Sequence, residues 1–218
     1  MKIQNLFLAF LVVLSSCCRG TWTSWEKKVI NLSDSVMYVT VMPLDSAILR
    51  TPSVDVPASA LKSPELETLL SKMLTTLQDP SQDGVGIAAP QVGINRRIIC
   101  VQRFDKSSEP FECYVNVRID SLYGDVCVGP EGCLSLPPLR GYVPRWTKAD
   151  ISYASLPDGS RISETVSDFT AIIFQHECDH LDGILYTDRA DTVFISSSWA
   201  SGRAGYSYAR PEWWDIPR

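Results

Sequence analysis

Histidine occurs at only two of the 218 positions, and both histidines lie within one stretch of five residues, at His176 and His180. Residues four apart lie on the same side of an α-helix, about one turn apart, so both imidazoles can reach one metal ion. The stretch His-Glu-Cys-Asp-His also puts Glu177 beside the first histidine, where a carboxylate can contact a metal-bound water. The spacing therefore predicts a helix and favours a metal site on it. The alternative is a capped helix end with two surface histidines.

A catalytic metal site of the tetrahedral kind needs a third protein ligand and leaves the fourth position for water or substrate. The chain has no third histidine, and the only glutamate downstream that could complete a zincin-type site is Glu212. Upstream, Cys133 follows a glycine in the turn-like segment EGCLSLP, and we favour this thiol as the third ligand. Cys178 points to the opposite face of the helix and is predicted to be a buried small apolar residue.

The overall composition limits the class of protein. A hydrophobic fraction of 45% over 218 residues suffices for one well-packed domain, or at most two small ones. Lys and Arg number 20 against 25 Asp and Glu, and no basic cluster occurs, so a nucleic-acid-binding footprint is absent. The expected partner is therefore small or peptidic. The seven cysteines are odd in number and irregularly spaced, which does not indicate a disulfide framework.

The amino end has the layout of an export signal. A lysine at position 2 precedes the apolar run LFLAFLVVL, and small residues lead to Cys17. This run is shorter than the ~20 apolar residues of a membrane-spanning helix. The order Leu-Ser-Ser-Cys resembles a bacterial lipobox, so we predict a lipoprotein-type signal peptide at 1–16, lipidation of Cys17 and a linker at 17–36. The alternatives are a buried amino-terminal helix, or translation that starts at Met37.

Periodicity predicts two helices and several strands in the rest of the chain. An amphipathic helix begins at Ser63 and Pro64 and ends near Asp79, and a second helix begins after Ser167 and carries the two histidines. Strands are predicted at 98–101, 114–119, 151–154 and 161–166. Residues 191–218 have no helical period and are predicted to form a carboxy-terminal extension.

Three segments together match a known family. GVGIAAPQVG (84–93), EGCLSLP (131–137) and QHECDHLDG (175–183) resemble, in order and spacing, the three signature motifs of peptide deformylases. On this resemblance we assign residues 37–190 to the catalytic domain. It implies an α+β fold with antiparallel strands around a central helix that bears the HExxH motif. It also implies a hydrolase that removes the formyl group from N-formylmethionyl peptides and releases formate.

By this resemblance, one divalent metal ion is held by Cys133, His176 and His180. Water bound to the ion attacks the formyl carbonyl, and Glu177 accepts the water proton and later delivers it to the departing amine. A thiolate with two imidazoles suits zinc and also accepts nickel or iron(II). The resemblance indicates iron(II) as the working ion.

The resemblance further assigns the oxyanion donors to the side-chain amide of Gln91 and the backbone N–H of Leu134. The partner it implies is a formylated peptide, held in an extended form beside the metal. The residues expected to contact this peptide are Val85, Gly86, Gly132, Arg140, Ile172 and Ile173.

An export signal does not fit a deformylase that meets nascent chains at the ribosome. We therefore expect a monomer anchored to the bacterial cell envelope by a lipid at Cys17, or a cytoplasmic protein if Met37 is the true start. Two other functions stay open: a metal-stabilised surface lipoprotein that binds peptides without catalysis, and a zincin-like endopeptidase. Cys100 and Cys113 lie in strand-like surroundings that would allow a bridge, but buried free thiols are the expectation.

Overall fold

The structure is a computed structural model that describes residues 21–39, 46–81, 84–156 and 158–196. The predicted signal peptide, the lipidated Cys17 and residues 197–218 of the predicted extension lie outside these ranges. No helix among the described residues is long and apolar enough to cross a membrane.

The helices agree with the periodic segments and add two shorter ones at the amino end. They are α1 (Ser24–Ile30), α2 (Ser46–Leu49), α3 (Pro64–Leu77) and α4 (Asp168–Leu181), with short 3-10 helices at Ala58–Ala60, Ala89–Val92 and Tyr186–Asp188. Helix α3 begins as predicted, because the Ser63 hydroxyl accepts a hydrogen bond from the backbone N–H of Leu66 at 3.2 Å and Pro64 occupies the first helical position. Helix α4 carries both histidines.

The strands form one antiparallel sheet in the order β1-β2-β3-β4-β5, with β6 paired to β4. Its members are β1 (Gly86–Ala88), β2 (Ile98–Gln102), β3 (Phe111–Gly132), β4 (Leu139–Ala154), β5 (Arg161–Ser167) and β6 (Thr192–Ile195). An antiparallel sheet with a few helices confirms the α+β class. The start of the predicted extension is ordered, since β6 pairs with residues 139–142 of β4.

The sheet lies between α3 and α4, and β2 shows this most clearly. Its side chains alternate between two apolar cores, with Ile98 and Cys100 in one and Ile99 and Val101 in the other. Helix α3 covers the first core and α4 covers the second. The buried residues that the two helices contribute are Leu66, Leu69, Met73 and Leu77 from α3, and Ile173, Phe174 and Leu181 from α4.

The prediction of a linker at 17–36 is wrong for the residues that the structure describes. Helix α1 begins with a capping box, in which Thr23 and Glu26 exchange hydrogen bonds, and it buries Val29 and Ile30 in the first core. The Glu26 carboxylate also accepts a hydrogen bond from the Arg96 guanidinium at 2.9 Å. A helix of seven residues gives too short a period to be read from sequence, and tertiary contacts stabilise it.

The expectation that Cys100 and Cys113 are free thiols is also wrong. The two cysteines lie opposite each other in the ladder between β2 and β3, with their Cα atoms 4.1 Å apart, and they form a disulfide. Only the register of the two strands puts these side chains opposite each other, and the sequence does not reveal that register. Among the described residues, the free cysteines are Cys127, Cys133 and Cys178, and Cys178 is buried as predicted.

Replacement of Glu26 by glutamine tests whether α1 is part of the folded body. Burial raises the pKa of Glu26, but hydrogen bonds from Arg96 outweigh it and hold that pKa below its ordinary value of 4.5. The replacement leaves the buried Arg96 without a charge partner, so we expect the free energy of unfolding at pH 7 to fall by about 3 kcal/mol. Because the pKa is lowered in the folded state, this contribution is present above pH 4.5 and is lost as the pH falls through the folded-state value. Urea unfolding of both proteins from pH 7 to pH 3 measures the difference.

The matched control is Glu65→Gln, which removes the partner of Lys27 in an ion pair between α3 and α1 at 3.3 Å. The Lys27 side chain is 48% exposed, so the control should change the unfolding free energy much less. Equal losses in the two variants, or a Glu26→Gln difference that does not shrink as the pH falls from 7 to 3, would contradict a buried ion pair.

Candidate metal centre and its surroundings

The hairpin of β3 and β4 brings a cysteine to the histidines of α4. The two strands pair up to Gly132 and Arg140, and the turn between them begins at Cys133. The Cys133 Sγ atom lies 3.2 Å from Nε2 of His180, and the potential ligand atoms of Cys133, His176 and His180 all lie within 4.8 Å of one another. Cys133 and His180 are buried, and the side chain of His176 is 11% exposed. The three side chains predicted as ligands are therefore brought together.

The chemistry of this cluster fits a divalent metal ion. Around a tetrahedral ion, sulfur and nitrogen ligands lie about 3.5 Å apart, which is close to the observed sulfur–nitrogen distance of 3.2 Å. The Nδ1 atom of His176 is 2.8 Å from the Glu131 carboxylate, which leaves Nε2 of this ring available to a metal. A thiol with two imidazoles is a donor set that zinc, iron(II) and nickel accept.

A chain of charged side chains, buried except for Arg189, supports the cluster from behind. The Arg145 guanidinium donates to Glu131 at 2.7 and 3.0 Å and to Asp179 at 2.6 Å, and Arg189 donates to Asp179 at 2.7 Å. Burial raises the pKa of Glu131, but hydrogen bonds from His176 and Arg145 outweigh it and lower the pKa to about 2. Glu131 is therefore a carboxylate that orients the His176 ring and is itself fixed by Arg145.

Glu177 lies beside the cluster with spare hydrogen-bonding capacity. It is buried, and among the described residues its Oε2 atom has no hydrogen-bond partner. Burial raises the pKa of this carboxyl to about 7. A glycine at position 86 is required here, because a Cβ atom at Gly86 would lie 2.4 Å from Oε1 of Glu177. A buried carboxyl with such a pKa and an unpaired oxygen is suited to accept and return a proton.

Gln91 is oriented towards the same place. Its Oε1 accepts a hydrogen bond from the backbone N–H of Ala88 at 2.8 Å, which turns the NH2 group inward. That NH2 group lies 3.6 Å from Cys133 Sγ and 3.2 Å from the Ser135 hydroxyl. Leu134 follows Cys133 in the turn, and its side chain packs near Gly84, where a Cβ atom would lie 3.1 Å from it.

The residues predicted to contact substrate lie in different environments. Val85 and Ile172 are half-buried, whereas Ile173 is 4% exposed and belongs to the second core. Arg140 is exposed and lies across the end of β3, since a Cβ atom at Gly132 would be 1.1 Å from its guanidinium.

Three charged residues around the cluster were not predicted as site residues, namely Glu131, Arg145 and Asp179. Metal-binding histidines usually donate their other ring nitrogen to a carboxylate, and this rule could have drawn attention to Glu131 in EGCLSLP. No comparable signal exists for Arg145, because its partners depend on strand register and on how α4 crosses β4.

The comparisons with known proteins agree with this geometry. The model of the family described as "Polypeptide deformylase" matches residues 38–194. The peptide deformylase of Desulforudis audaxviator is 39% identical over 132 residues, which cover 61% of this chain and 82% of that protein. The structure is similar to the class I type b peptide deformylase from Acinetobacter baumannii bound to Met-Ala-Ser, with a TM-score of 0.63, 36% identity, and coverage of 71% of this chain and 98% of that one. A peptide deformylase from Synechococcus elongatus in complex with actinonin gives a TM-score of 0.64 and 31% identity, covering 74% of this chain and 84% of that one.

Replacement of Glu131 by glutamine tests the support behind the cluster. The substitution keeps the size of the side chain and removes the charge that Arg145 and His176 contact, so we expect metal affinity to fall about 10- to 100-fold. Competition with a chelator measures the metal Kd. The control is Glu112→Gln, which alters another partly buried carboxylate, hydrogen-bonded to Lys106 and remote from the cluster. An unchanged Kd in Glu131→Gln would contradict the role assigned to this carboxylate.

Proposed function

The chain belongs to the polypeptide deformylase family and is a peptide deformylase. We propose that it removes the formyl group from N-formylmethionyl peptides, and that the reaction takes place at the cluster of Cys133, His176 and His180. The products are formate and a peptide with a free amino terminus. The observation that carries this proposal is the meeting of a Cys/His/His ligand set with a buried carboxyl, Glu177, whose Oε2 lacks a partner among the described residues.

In this proposal the three side chains hold one iron(II) ion, with zinc or nickel as substitutes that the same donor set accepts. Such an ion, when bound, lowers the pKa of a coordinated water and polarises the formyl oxygen. Glu131 keeps the His176 ring in a fixed orientation through the hydrogen bond at Nδ1. The HExxH motif of α4 thus supplies two ligands and the residue that handles the proton.

Glu177 is proposed as the general base and then the general acid. Its raised pKa and free Oε2 atom suit it to take the proton from the attacking water and to return it to the departing amine. The carboxylate is held against Gly86, where no larger residue fits, so its position is fixed from one side by the backbone of β1.

Gln91 and Leu134 are proposed to stabilise the oxyanion that forms on the formyl oxygen. The Gln91 NH2 group is fixed within 3.6 Å of Cys133 Sγ, and the Leu134 backbone N–H directly follows that cysteine. Donors aimed at a developing oxyanion contribute about 3 kcal/mol each in enzymes where one has been removed.

The peptide is proposed to bind in extended form, with its methionine side chain beside Val85, Ile172 and Ile173. In this proposal the peptide main chain runs past Gly86 and Gly132, where the space that a Cβ atom would fill is taken by Glu177 and by the Arg140 guanidinium. A formyl hydrogen is much smaller than a methyl group, so a closely fitting site selects formyl over longer acyl groups.

Replacement of Glu177 by glutamine is the direct test of the mechanism. We expect formate release from formyl-Met-Ala to fall about 10²- to 10⁴-fold, because the proton acceptor is lost, while metal content is retained. The control is Glu67→Gln, an exposed glutamate on α3, which should leave the rate unchanged. Equal inactivity of wild type and Glu177→Gln after anaerobic iron loading, or cleavage of internal peptide bonds, would contradict the proposal.

We further propose that the enzyme acts outside the cytoplasm as a monomer anchored to the bacterial envelope through Cys17. The apolar run and lipobox-like order at the amino end support export. The disulfide between Cys100 and Cys113 supports it independently, since disulfides persist mainly in oxidising compartments.

Cell fractionation with detergent-phase partitioning tests the location. We expect the native chain in the membrane fraction and the detergent phase, and Cys17→Ser should move it to the aqueous phase. A water-soluble cytoplasmic product that starts near Met37 would contradict the anchoring.

A further inference from the structure

The outward side of the hairpin of β3 and β4 is apolar although it faces solvent. Side chains alternate along both strands, and those at even positions from 126 to 130 of β3 and from 142 to 146 of β4 point away from the buried charges. Four of them are between 40% and 58% exposed. We call this surface the outer apolar face; it consists of Val126, Val128 and Pro130 of β3 and Tyr142, Pro144 and Trp146 of β4.

The members of the outer apolar face form a continuous strip, because they pair directly across the two strands. Val126 lies opposite Trp146, Val128 opposite Pro144, and Pro130 opposite Tyr142. A contiguous apolar surface of this kind usually marks a binding site. Arg140 and Lys148 flank the strip on β4, and none of the six residues of the strip is charged.

The strip is continuous with the candidate active site. The next pair in the same ladder is Gly132 and Arg140, and Cys133 follows directly. Strand β2 pairs with β3 at residues 111–115 only. Within the described part of the chain, residues 126–132 of β3 therefore have one neighbouring strand, β4, and their other edge is free. An extended peptide that leaves the metal cluster can add to this free edge through main-chain hydrogen bonds.

Alternation fixes which peptide side chains would meet the outer apolar face. In a strand, residues two apart point to the same side. If the methionine side chain points inward, beside Ile172, the side chains of the second and fourth residues point outward, the second beside Pro130 and the fourth beside Val128. Polar side chains at those two positions would leave the strip exposed, whereas apolar ones would cover it.

We propose that the outer apolar face binds the second and fourth side chains of the substrate, so that this enzyme prefers formylated peptides that are apolar at those positions. This preference rests on the proposed deformylase function and narrows its substrate class. We assign the outer apolar face to the substrate because its first pair, Pro130 and Tyr142, lies at the end of the ladder that leads directly to Cys133 and the metal cluster.

The test compares formyl-Met-Leu-Gly-Leu with formyl-Met-Ser-Gly-Ser on the full mature chain with its metal. We expect kcat/KM to be about tenfold higher or more for the leucine peptide, from burial of two apolar side chains. Val128→Asp should reduce this ratio towards one, while Ile162→Asp, a matched change at an exposed position of β5, should keep it. A ratio is used because partial misfolding lowers both rates alike.

The outcomes separate the substrate preference from the deformylase function. Hydrolysis of both peptides at equal kcat/KM by the wild type, or an unchanged ratio in Val128→Asp, would overturn the preference and leave the deformylase function intact. If the leucine peptide is preferred only by a chain that ends at Ser196, the carboxy-terminal segment covers the outer apolar face and the proposal is overturned. If the preference appears only in a monomer separated from a dimer, a second copy covers that face and the proposal is likewise overturned. Absence of formate release from either peptide and from formyl-Met-Ala would overturn both.

Discussion

The guanidinium of Arg145 connects the two parts of the molecule from which the metal cluster is built. Arg145 lies on β4 and donates both to Glu131, on the neighbouring strand of the same hairpin, and to Asp179, on helix α4. All three side chains are buried, so separation of hairpin and helix would leave unpaired charges out of water. This arrangement fixes the distance between Cys133, which follows the hairpin strand, and the histidines of α4.

The inner and outer sides of the hairpin of β3 and β4 have different roles. On the inner side, Glu131 and Arg145 supply hydrogen bonds that orient the His176 ring and hold helix α4. On the outer side, Val128 and Trp146 leave an apolar surface in solvent. Period-two alternation lets one pair of strands combine ionic support for the proposed metal site with the proposed apolar contacts to a peptide.

The parts of the fold that could be predicted from sequence are those specified by local patterns. The spacing of His176 and His180 indicated a helix and a metal site, and the leucine period with Ser63 and Pro64 indicated α3. Both patterns depend on helix geometry within a few turns. Cys133, predicted from its motif as the third ligand, lies 3.2 Å from His180.

The features that were missed depend on contacts between distant residues. The disulfide needs the β2–β3 register, and Arg145 needs both the hairpin register and the position of α4. Helix α1 is only seven residues long and depends on burial of Val29 and Ile30 and on the ion pair of Glu26 with Arg96. Such contacts have no local signature, so neither α1 nor the charged support of the site was predicted.

The central claim is that the hairpin cysteine and the two helix histidines bind the same metal ion. X-ray absorption at the metal edge of the purified protein measures this most directly. We expect one sulfur ligand at about 2.3 Å together with nitrogen ligands at about 2.0 to 2.1 Å if the bound ion is zinc. A first shell of nitrogen and oxygen without sulfur would contradict the claim.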